Sequence, residues 1–92
     1  MQNTYATKNL LTAAETGQVA AQYKIGLAYA KGDNIEQSDI EAYAWWNTAA
    51  EQGHPEAADL RDKIATFMSE QELTEAKNSR ANAGRNTSSN KD

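Results

Sequence analysis

His54 is the single histidine among 92 residues, and the chain has no cysteine. An imidazole in the corner sequence Gly53-His54-Pro55 has no second nitrogen and no thiolate with which to share a metal ion, so it reads as a solvated cap residue. Asp33, Glu36 and Asp39 offer oxygen ligands of the kind calcium takes. Their spacing does not follow an EF-hand loop, and they read as helix caps and solvated charges. Glu70, Glu72 and Glu75 could pair as carboxylates for hydrolysis, but together they form an acidic first turn that complements a helix dipole. Asn86-Thr87-Ser88 fits the glycosylation pattern and is read as tail. No nucleophile has an adjacent base. The sequence therefore assigns no catalytic, cofactor-binding or metal-binding residue, and an enzyme is not expected.

Recognition is the chemistry that remains, and its candidates depend on the elements that hold them. A first helical stretch, about Tyr5 to Thr16, sets Ala6, Leu10, Ala13 and Ala14 on one face, with Thr4 at its N-cap position and Gly17 ending it in a left-handed turn. The second, about Val19 to Lys31, has Ala21, Ile25, Ala28 and Tyr29 at helical spacing and closes at Gly32. The loop 32–38 follows, and Ser38 with Glu41 reads as a capping box. The third helix, about Asp39 to Gln52, turns Ala42, Trp45, Trp46, Ala49 and Ala50 inward. Pro55 opens the fourth, to about Met68, which buries Ala58, Ile64, Phe67 or near neighbours. Ser69 and Glu72 launch a fifth, about Glu70 to Asn82, polar enough for a terminal cap. From Ala83 onward nothing is available to bury, and residues 84–92 are expected to be a disordered tail.

The composition limits the partners. Hydrophobic residues make up 39% and the net charge is −4, a balance with no attraction for nucleic acid or anionic lipid. No apolar run reaches the roughly 20 residues that span a bilayer. Met1-Gln2-Asn3-Thr4-Tyr5 lacks a basic region followed by an apolar stretch, so a cytoplasmic location is expected if that start is native. The length predicts one small domain over residues 1–83.

Ala13-Ala14-Glu15-Thr16-Gly17 recurs as Ala49-Ala50-Glu51-Gln52-Gly53, 36 residues later. A unit of that length is one helix pair, which must stack on a neighbour to bury its apolar face. The chain divides into a half repeat (5–17), a full repeat (18–53) and a degenerate repeat with a cap (54–83), where Asp62 falls opposite Gly26 and Ala65 opposite Tyr29. Residues Ala21 to Gly32, followed by Ala42-Tyr43-Ala44-Trp45-Trp46 and Ala49 to Gly53, resemble a Sel1-like repeat, a relative of the tetratricopeptide repeat. Gly53 to Ala58 through Gln71 is similar to the closing helices of bacterial members of that family. The resemblance implies an all-α solenoid of about five helices, stacked as antiparallel hairpins with a right-handed drift. It also implies a scaffold or adaptor that binds a protein.

Adjacent residues on a helix point about 100° apart, so Trp45 and Trp46 cannot face one neighbour. Trp46 takes the core, and Trp45 the junction between units with an edge toward a binding surface. By similarity to tetratricopeptide repeats, Ala20, Tyr23, Leu27, Ala30 and Lys31 line the concave groove, with the apolar pair Tyr23 and Leu27 rimmed by Lys24 and Lys31. A peptide or helix of a partner is the expected ligand. The alternatives are a homodimer through Tyr5, Leu10 and Leu11, or an inhibitor or immunity-type protein; hydrolysis is the remotest reading.

Overall fold

The computed structural model describes residues 4–79. Among them are five α-helices: α1 (Thr4–Glu15), α2 (Val19–Lys31), α3 (Asp39–Glu51), α4 (Pro55–Ala65) and α5 (Glu70–Lys77). None is long and apolar enough to cross a membrane. The C-terminal residues expected to be disordered lie outside the described range. Thr4, expected as a cap, is already helical.

Local chemistry sets the boundaries. Gly17 and Gly53, equivalent in the repeat, turn their corners at φ 102° and 94°, a region that a side chain makes costly. Gly32 ends α2 at φ 75°, and Asn34 takes φ 61° in the following turn, as its short polar side chain permits. The Ser38 hydroxyl accepts the Glu41 amide hydrogen at α3, and at α5 both halves of the capping box with Glu72 are made. α5 stops at Lys77 rather than near Asn82, because Asn78 and Ser79 offer no apolar side chain to extend its buried edge.

α3 is the central element. It packs against α2, α4 and α5, while α1 lies on α2. Most of the buried side chains are alanines, including Ala42, Ala44, Ala49 and Ala57 at 0% exposure, which lets helices approach closely. Two indoles fill the space between them. Trp45 joins Ala14, Ala21, Ile25 and Ala28 between α1, α2 and α3, whereas Trp46 joins Ala42, Ala49 and Ala57 between α2, α3 and α4. Each ring hides on the order of 150–250 Å², worth about 4–6 kcal/mol gross at about 25 cal/mol per Å². Adjacent tryptophans thus hold two successive layers of the stack.

Gly26 makes this packing possible. A Cβ built there would lie within 3.0 Å of three atoms of the Trp46 indole, whose Nε1–H donates to the Tyr23 carbonyl at 3.1 Å. A second tie crosses the stack: Gln22, 3% exposed, donates to the Ala14 carbonyl at 3.1 Å and accepts from the Gln52 amide at 2.7 Å. Phe67 departs from the sequence expectation. It is 81% exposed and Met68 is buried in its place, because α4 ends at Ala65 and helical phase no longer governs the residues after it.

Candidate functional site

The outward face of α2 carries five of the six residues singled out from the sequence. Ala20 and Lys31 are exposed, and Tyr23, Leu27 and Ala30 are half-buried. Trp45 is not on that face. At 6% exposure it belongs to the core, and its buried Nε1–H has no hydrogen-bond partner among the described residues. Its burial follows from its place on α3, which has neighbours on several sides.

Tyr23, Leu27 and Ala30 lean on the cluster around Trp46, beside Leu60 and Ile64 of α4. The Tyr23 ring stacks on the His54 imidazole, with centroids 4.6 Å apart and planes at 28°. His54 is also the N-cap of α4, its Nδ1 accepting the Ala57 amide hydrogen at 3.1 Å. That bond requires Nδ1 to be unprotonated, so the 3.7 Å approach of the Glu56 carboxylate to the same nitrogen is not an ion pair in this arrangement. The sequence reading found the cap. It missed the stack, for which the offset between Tyr23 and His54 gives no signal.

On the other flank of α2 the surface opens into a cleft of about 360 Å³. Ala6 and Leu10 of α1 face Leu27 and Ala28 of α2 across it, with Lys24 and Lys31 along the α2 wall. Thr7, Asp33 and Asn34 close one end, where the Thr7 hydroxyl donates to the Asp33 carbonyl at 3.4 Å. Leu27 therefore belongs to both flanks, and α1 borders it without covering it. Leu10 was read both as part of the inner face of α1 and, with Tyr5 and Leu11, as a candidate homodimer surface. It is half-buried and also lines this cleft.

Two titrations are displaced near the helix ends. Burial raises the Tyr29 phenol above its usual range, with the Glu41 and Glu15 carboxylates adding to the effect. Burial likewise raises Glu41. Both groups lie near the junction of α2 and α3, with Glu15 contributing from the end of α1. Among the described residues no group of three His, Asp or Glu side chains is placed to hold a metal ion.

Residues 19–54 match the family described as the Sel1 repeat. That segment contains α2, the turn, α3 and His54, and so includes most of the face just described. No solved structure matches the chain.

Proposed function

Residues 19–54 being a Sel1 repeat, a helical unit of the protein-interaction class, we propose that this chain is a binding module without chemistry of its own. A peptide or helix of a protein partner docks on the outward face of α2. The observation that carries this reading is the row Tyr23, Leu27 and Lys31, two half-exposed apolar side chains and a cation at helical spacing. The row is held in place because the rest of α2 is packed, with Ile25 at 0% exposure and Gly26 beneath the Trp46 ring. Affinity at such a face comes from a few anchored side chains, and pre-organisation lowers the entropic penalty of docking. Trp45 plays its part from within, by fixing α2 against α3.

The test is photocrosslinking from position 27 of the full chain in its native cells, followed by titration of the purified partner. Binding that weakens about tenfold or more in Leu27→Asp and is unchanged in the remote Asp59→Ser supports the reading. Equal binding by all three proteins overturns it.

One observation favours a second reading. Tyr5 is 77% exposed on α1, and an uncovered aromatic ring on the first helix suits a second copy. Sedimentation equilibrium separates the two. A monomer at all concentrations supports partner binding alone, while a dimer that Tyr5→Ser dissociates assigns α1 to self-association.

A further inference from the structure

The cleft between α1 and α2 is locally cationic on an acidic chain. In residues 4–34, Lys8, Lys24 and Lys31 stand against Glu15 and Asp33, whereas residues 35–79 hold ten acidic and three basic side chains. Lys24 and Lys31 are both exposed, and neither takes part in an ion pair among the described residues. Seven positions apart, they share one face of α2 and lie about 10 Å from each other along its axis. Between them Leu27 faces Leu10 across the apolar part of the cleft.

The geometry points to an acidic peptide segment, with one apolar side chain between two carboxylates, as the occupant of this cleft. This deepens the proposed function and rests on it: the outward face of α2 receives the partner, and the added claims are the partner's chemistry and the flank it takes. The apolar side chain enters between Leu10 and Leu27, and the carboxylates meet Lys24 and Lys31. In an extended segment alternate side chains share a face, so the spacing acid-x-apolar-x-acid turns the apolar residue and both carboxylates toward the cleft, and its span of about 13 Å is within reach of the two flexible lysine side chains. The chain's net charge of −4 repels acidic partners elsewhere, which makes these lysines a local attraction that sets register. Asp33 lies at the loop end of the cleft and opposes a carboxylate beside Lys31. It sharpens the preference for the Lys24 end. The Tyr23 flank offers no such match, since its ring is already stacked on His54.

The experiment pans a phage library of random dodecapeptides on the full chain at low salt, with the Lys24→Glu/Lys31→Glu and Leu27→Asp variants in parallel. Thermal melts verify that each variant is folded. The expected result is enrichment of acid-x-apolar-x-acid sequences. A synthetic peptide of that pattern then loses about tenfold or more in affinity for the charge-reversed variant. It also weakens with added salt and gains about two- to fivefold on Asp33→Asn. Neutral or basic peptides that need Leu27 overturn the acidic occupant and leave the docking face standing. Acidic peptides held equally by the charge-reversed variant overturn the cleft as their site. If no peptide is retained beyond the level of Leu27→Asp, both readings fall.

Discussion

Replacing Gly26 by alanine tests the claim that one missing side chain sets the distance between α2 and α3. On helix propensity alone the change stabilises, since alanine in a helix interior is favoured over glycine by about 1 kcal/mol. The packing opposes it. The new methyl would meet the Trp46 ring at 2.5 Å from Cδ1 and 2.9 Å from Cε2, and the ring, 3% exposed, has little room to move. Overpacking of a close-packed core costs about 1–3 kcal/mol. A displaced indole also gives up its bond to the Tyr23 carbonyl, a further loss of about 1 kcal/mol. The net expectation is a destabilisation of about 1–3 kcal/mol, or about 4–24 °C in Tm for a domain of this size. Urea titration followed by tryptophan fluorescence reads it directly. The decisive control is the pair with Trp46→Leu: once the ring is gone, Gly26→Ala should add about 1 kcal/mol of stability, so the two substitutions couple by about 2–4 kcal/mol. A Gly26→Ala protein as stable as the parent, or one whose deficit survives removal of the ring, refutes the role given to this contact.

Gln22→Met keeps the volume of a buried side chain but removes its bonds to Ala14 and Gln52; denaturant melts should show a loss of about 1–3 kcal/mol, with Gln52→Ala adding less than its own single effect in that background. Ser69→Ala removes the hydroxyl half of the α5 capping box, the bond from the Glu72 amide, and keeps the backbone half; it should weaken that helix by about 1 kcal/mol, seen in hydrogen exchange as faster α5 amides while the α2 amides keep their protection. For pH, Tyr29 is raised above 10.0 in the fold, so from about that pH upward the folded chain holds more protons than the unfolded one and stability falls as pH rises. Tyr29→Phe should remove this alkaline loss. Glu41 is raised above 4.5, giving the same sign at lower pH: stability declines as pH climbs from that value through the folded one, and Glu41→Gln should flatten the slope.

The fold was legible because its signals are local. Glycines at the corners, proline at the start of α4 and the two serine caps all act within one turn of chain, and the boundaries of α2 fell where periodicity put them. The division of Trp45 and Trp46 between two clusters follows from helical geometry alone. What escaped depended on the third dimension. Phe67 was placed inside by extending a helix that ends at Ala65, and the end of a helix is a balance of propensity and packing that spacing does not record. The stack of Tyr23 on His54 joins residues 31 positions apart through a docking angle that no local motif encodes. The cleft arises from how α1 lies against α2, so Lys24 was seen as a rim while the pocket beside it went unread.

The same close approach bears on where α5 packs. In the full repeat, Gly26 admits the Trp46 ring and draws α2 onto α3. One repeat later the equivalent position is Asp62, exposed on α4 and bonded to Arg61 at 3.0 Å. A carboxylate there cannot receive a ring, so α5 has no reason to pair with α4 as α3 pairs with α2. It packs instead on α3, where Ala76 and Met68 meet Tyr43. α5 turns Glu70 and Glu75 to water. At the N-terminal side α1 leaves Tyr5 uncovered and borders the cleft beside Leu27. The Gly26 contact and the Gln22 bonds hold α1 and α2 in register with α3.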